Sequence, residues 1–178
     1  MDAPYLTFNR DHYWLLLSLL LLARGMDFLS TWIATPQLVL EGNPLAKKLG
    51  WRRALVLNTI LCVLFAGWSL PAVVIITSSA LVAAGNFQSA WLMRSLGEQQ
   101  YSSWLMERME ETHLGLFLLC VLAQGALLGG VGGVLVCFSP IPSVTFAVGV
   151  GVVTYAVAVV VYTLLPLRRV RRHRDSIQ

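Results

Sequence analysis

Apolar residues fall into long runs along this chain, separated by short polar punctuation. His12 to Ala34 is one run, long enough to cross the ~30 Å hydrocarbon layer of a membrane as a helix. Ala54 to Ser95 is too long for one crossing and predicts two, over 54–69 and 71–95, divided near Ser69-Leu70-Pro71. Proline lacks the helical N–H and disfavours helical geometry at the residue before it. Residues 113–138 and 144–166 supply a fourth and a fifth span around the turn Ser139-Pro140-Ile141-Pro142-Ser143. None of the runs alternates polar with apolar residues as barrel strands do. The pattern predicts an all-α, polytopic transmembrane helix bundle of about five spans in one domain, 1–166, with a basic tail at 167–178.

Charge orients the spans. The first connection holds Lys47, Lys48, Arg52 and Arg53, the third holds Arg94 and Arg108, and the tail holds Arg168, Arg169, Arg171, Arg172 and Arg174. Five crossings put all three on one side, with Arg10 opposite and Arg24 inside the membrane. The positive-inside tendency makes that side the cytoplasm, placing the N-terminus outside and the C-terminus in the cytoplasm. The first run does not read as a cleavable signal: no basic leader precedes it, and Arg24 and Asp27 interrupt the region of a cleavage site.

Composition sharpens the picture. Of 178 residues, 57% are hydrophobic and 12% charged, about half the charged fraction usual in soluble domains. The net charge of +4 does not point to nucleic acid, because the basic residues flank the apolar runs. The C-terminal arginines are instead expected to engage anionic lipid headgroups. Cys62, Cys120 and Cys137 lie within apolar runs, form no metal or redox motif, and read as packing residues.

Ionisable groups inside a bilayer are costly and face a partner or a water-filled cavity. Arg24, Asp27 and Thr31 are spaced by three and four, which puts them on one helical stripe. Two readings follow: a self-neutralising ion pair that pins the first helix, or a carboxylate lining a polar cavity. In the loop after this helix, Asn43 fits an N-cap with Pro44 at the first position of a short basic helix that ends at Gly50. Glu41 suits either the positive end of that helix or the mouth of a cavity.

Asn86 and Ser89 add polar groups to the third span. If the fourth helix is continuous from Glu110, that residue shares a face with His113, Phe117, Cys120 and Gln124. Glu110 and His113 then resemble half of a Glu-x-x-His metal pair. These groups map to the cytoplasmic half, which predicts an inward-facing polar chamber. Gly125, Gly129, Gly130, Gly132 and Gly133, with Gly149 and Gly151, predict close helix approach within the chain or between copies. Tyr155 and Tyr162 share one face of the fifth span.

The string Asp27-x-x-x-Thr31 followed by Glu41-x-Asn43-Pro44 resembles a signature of small uncharacterised prokaryotic integral membrane proteins, a domain-of-unknown-function family. The resemblance covers roughly residues 20–50. It implies a protein of the prokaryotic cytoplasmic (inner) membrane and makes Asp27, Thr31, Glu41 and Asn43 the residues to test. It supplies no activity and leaves any cofactor unknown.

Three functions compete. The first is binding or translocation of a small cation, proton or polar solute at Asp27, Thr31, Glu41, Asn43, Asn86 and Arg24, in a homo-oligomer or with a partner. The second is a structural or assembly subunit of a larger membrane complex. The third is a membrane-embedded metal-assisted hydrolase or lipid-modifying enzyme, with Glu110, His113, Glu41 and Asp27 as ligands or general base and Glu110 and His113 as the metal candidates. The chain carries no nucleophile elbow, phosphate-binding loop or two-histidine metal motif, so catalysis ranks behind the other two.

Overall fold

A computed structural model describes residues 12–40 and 44–175. Those residues form six helices and no strand: α1 (Tyr13–Ala34), α2 (Pro44–Phe65), α3 (Ser69–Leu96), α4 (Glu98–Glu111), α5 (Leu114–Phe138) and α6 (Val144–Asp175). Four stretches are long and apolar enough to cross a membrane: α1, α3, α5 and the part of α6 from Val144 to Leu165. α2 breaks at Gly50, whose φ of 67° lies in the left-handed region that glycine adopts freely. The helix beyond that break, residues 51–65, is only ~22 Å long at 1.5 Å per residue.

Element boundaries depart from the pattern in three places. α3 begins at Ser69, before Pro71, because proline is tolerated in a first turn, where the N–H has no helical acceptor. The third connection contains a full helix, α4, whose Tyr101 is buried while Trp104 and Leu105 are exposed. α6 continues past Pro166 to Asp175, so the segment 167–175 prolongs the last helix.

Large side chains face outward and small ones inward. Leu119, Leu127 and Phe138 are 66%, 73% and 85% exposed, whereas the buried positions are mostly alanine, with Leu20 the one large apolar side chain under 2% exposed among the described residues. That distribution suits an apolar solvent, in which helices gain nothing by hiding leucine and associate through close backbone approach.

The packing order is a row. On α1 the buried positions Leu16, Leu20, Ala23, Ser30 and Ala34 follow alternating steps of three, four and seven, and they face Ala72, Ser79, Ala83 and Ala90 of α3. α3 meets α6 through Val74, Thr77 and Gly85. At 100° per residue those positions lie nearly opposite the α1 face. α6 repeats the arrangement, offering Gly151 and Tyr155 to α3 and Gly149, Val153, Ala156 and Val160 to α5. The order is therefore α1, α3, α6, α5. α2 lies against α1 beside the α1–α3 seam and touches α3 lightly.

Relative directions follow from the paired residues. Arg24 meets Ser79, Thr31 meets Asn86 and Thr35 meets Glu98, so α1 and α3 run parallel. α2 runs back along α1: Trp51 packs on Phe28, Asn58 binds Arg24, and the Tyr13 hydroxyl donates to the Val63 carbonyl. α5 and α6 are antiparallel.

Candidate functional site

Arg24 sits midway along α1, where α1, α2 and α3 meet, and its guanidinium ties the three together. Nη1 donates to Asp27 Oδ2 at 2.9 Å and to Ser79 Oγ at 3.2 Å. Nε donates to Asn58 Oδ1 at 2.8 Å, and Nη2 donates to the same oxygen. Asn58 is oriented by its own amide, which donates to the Ala54 carbonyl one turn back. The planar fork of arginine is what allows three partners on two neighbouring helices and its own to be served at once.

One turn beyond Asp27, the fully buried Ser30 donates its hydroxyl to the Asp27 carbonyl, and Asn86 of α3 donates to Ser30 Oγ and Thr31 Oγ1 at 3.3 and 3.2 Å. Polar contacts thus run in steps along one parallel seam. Among the described residues no buried side-chain nitrogen or oxygen lacks a hydrogen-bond partner, which is the condition for holding such groups in an apolar medium.

At the end of the seam, Glu98 opens α4 and clasps the loop after α1. Its carboxylate accepts from Thr35 Oγ1 (2.6 Å), the Gln37 amide (2.6 Å) and the Val39 amide (2.8 Å). The loop is pinned further by Trp51 Nε1 donating to the Pro36 carbonyl, and Leu38 turns through a φ of 59°. Burial opposes ionisation of Glu98, but the hydrogen bonds from Thr35, Gln37 and Val39, with Arg94 nearby, outweigh it and hold the carboxyl below its ordinary value.

Two cavities adjoin this system. A cleft of about 500 Å³ lies beside the clasp, between Pro36 and Gln37 and the segment from Met93 to Gln100. A smaller cavity of about 220 Å³ lies against Arg24, lined by Asn58, Ser78, Ser79 and Cys62 with Leu20, Leu61, Phe65 and Ile75. Neither cavity is lined by Asp27, Thr31 or Asn86.

The residues singled out in the sequence therefore divide. Arg24, Asp27, Thr31 and Asn86 come together on the α1–α3 seam. Glu41 and Asn43 lie outside the described residues. Glu110 and His113 do not share a continuous helix: the backbone is extended at Thr112 and His113, and α5 starts afresh at Leu114. His113 is exposed, and its Nδ1 accepts from the Gly115 amide at 3.2 Å as the cap of α5; the Glu110 side chain lies outside the described residues. α5 stands three helix spacings from α1, roughly 25 Å at 8–10 Å each, so His113 does not join the chamber expected around Asp27. Among the described residues no group of three or more His, Cys, Asp or Glu is placed to hold a metal.

Asn58, Ser79 and Glu98, with Ser30 and Thr35, are members of the network that escaped the sequence pattern. Asn58 carries a legible signal, an amide inside an apolar run. Ser79 and Glu98 carry none, since only packing brings them to Arg24 and Thr35. Comparison with family models, with curated proteins and with solved structures finds no match for this chain.

Proposed function

We propose that this is a five-crossing protein of the prokaryotic cytoplasmic membrane whose α1–α2–α3 unit binds a small polar solute beside Arg24. Four apolar helices supply the membrane context. The fifth crossing is inferred from direction: α1 and α3 run parallel, so the chain returns between them, and α2 lies antiparallel along α1. Five crossings and the basic connections put the N-terminus outside and the C-terminal arginines at the anionic lipid surface of the cytoplasm. Cysteines introduced at Ser95 and Ser139 should then react with an impermeant thiol reagent from opposite sides; labelling from one side removes the topology.

The observation that carries the binding reading is the cavity of about 220 Å³ against the guanidinium where three helices meet. A cation is the less favoured occupant, because Arg24 pairs with Asp27 at 2.9 Å and cancels its charge. Translocation by one copy is also less favoured, because α1, α3, α6 and α5 pack as a row with α2 beside one end, and not as a ring around a path. Purified full-length protein should gain thermal stability from a binding solute, by ~2.7 kcal/mol at a hundred times its Kd. The charge-balanced variant Arg24→Met/Asp27→Leu should show no gain. An equal gain in the variant would remove Arg24 from the site.

A second reading, an assembly subunit, draws on the same row, whose two broad faces carry exposed apolar side chains such as Trp91, Leu127 and Val134. Purification from native membranes in mild detergent without a stoichiometric partner would count against it.

A further inference from the structure

The cavity beside Arg24 is chemically mixed. Its lining joins apolar Leu20, Leu61, Phe65 and Ile75, and Cys62, to polar Arg24, Asn58, Ser78 and Ser79. Its size is informative. An apolar cavity of ~150 Å³ holds benzene, whereas drug-sized ligands fill ~300 Å³ or more. A volume of about 220 Å³ fits one ring with a short substituent.

The polar part of the lining offers a donor without a net charge. Arginine has five N–H groups; here they reach Asn58 through Nε and Nη2, and Asp27 and Ser79 through Nη1. The second N–H of Nη2 has no acceptor among the described residues. Because Asp27 balances the guanidinium, that N–H attracts an acceptor atom rather than an ion, and bringing an anion to this depth carries a desolvation cost that a carbonyl avoids. α2 and α3 touch lightly, and the cavity lining includes Leu61 of α2, 38% exposed, and Ser78 of α3.

We propose that this cavity binds a neutral, lipid-soluble molecule whose ring-sized head carries a carbonyl acceptor, reaching Arg24 from the membrane between α2 and α3. The proposal rests on the reading of Arg24 as the solute-binding group and specifies the solute. The head lies against Phe65 and Ile75, and its oxygen accepts from Arg24 Nη2.

Cys62 provides the test, because it lines the cavity and is buried, whereas Cys120 and Cys137 are exposed. Full-length Cys120→Ser/Cys137→Ser protein in phosphatidylcholine vesicles is treated with N-phenylmaleimide in the presence of acetophenone, ethylbenzene or benzoate. Acetophenone at ~10 times its Kd should slow Cys62 alkylation about tenfold by simple occupancy; the other two should leave it nearly unchanged. Protection by benzoate alone overturns the neutral-carbonyl proposal but keeps a polar solute at Arg24. Equal protection by ethylbenzene, or none by any probe, overturns both. The carbonyl ¹³C resonance of labelled acetophenone is the second readout: a hydrogen bond from Arg24 moves it downfield in the native protein and not in Arg24→Met/Asp27→Leu, and no shift in either overturns the proposal.

Discussion

Along α1 and α3 the contact positions are mostly alanine and serine, with Leu16 and Leu20, interrupted by Arg24, Asp27, Thr31 and Asn86; along α5 and α6 they are mainly glycine and valine, with Ala156 and Leu135. A Cβ built on Gly132 would lie 2.9 Å from the Gly149 carbonyl oxygen, and one on Gly149 would lie 2.9 Å from the Gly132 carbonyl oxygen. Only hydrogen fits at that crossing. The first interface joins helices separated in the chain by α2 and gains specificity from directional bonds. The second joins neighbours through the turn at 139–143, so connectivity already brings them together and close packing suffices. Of these two interfaces, the one whose helices are not neighbours in the chain carries the polar groups.

The largest way to break the comparison is to strip one charge from the polar interface. Arg24→Met leaves Asp27 without its guanidinium and should destabilise the chain by ~3–5 kcal/mol, measured by denaturant titration in mixed micelles. Arg24→Met/Asp27→Leu should recover most of that loss. A double variant as unstable as the single would show that Arg24 acts chiefly through Asn58 and Ser79.

Overfilling the glycine interface comes next. Gly132→Val should cost ~1–3 kcal/mol, because the added carbons meet backbone at Gly149 and Val153. Gly130→Val should cost far less, since a Cβ at Gly130 meets nothing within 4 Å. Similar losses at both positions would mean that helix propensity, not the crossing, governs this hairpin.

The smallest effect belongs to the clasp at the end of the polar seam. The folded carboxyl of Glu98 lies below its ordinary value, so its stabilisation is fully present above the unfolded value of about 4.3 and is lost as pH falls through the folded value. Protease cleavage of the loop at 35–40 should therefore rise as pH drops below that range, and Glu98→Gln should cleave faster at neutral pH with a flatter profile. A Glu98→Gln profile matching the native one would detach the loop from this carboxylate.

The helical class, four of the five expected apolar spans and the pairing of Arg24 with Asp27 were legible because each depends on neighbours in the chain: run length, proline position and a three-residue spacing. The break at Gly50 was legible for the same reason. The break between Glu110 and α5 was not, and the continuous helix expected there is absent, since His113 caps a new helix through a bond from Gly115 that spacing does not reveal.

The order α1, α3, α6, α5 belongs to tertiary structure alone. It is set by which glycine and alanine faces fit closely enough to touch, and apolar runs look alike on every face. That order, with α2 packed beside α1, gave Arg24 its partners Ser79 and Asn58, gave Glu98 the loop after α1, and left His113 at the far end of the row. Local chemistry fixed what each helix carries; contact between helices distant in the chain decided which of those groups meet.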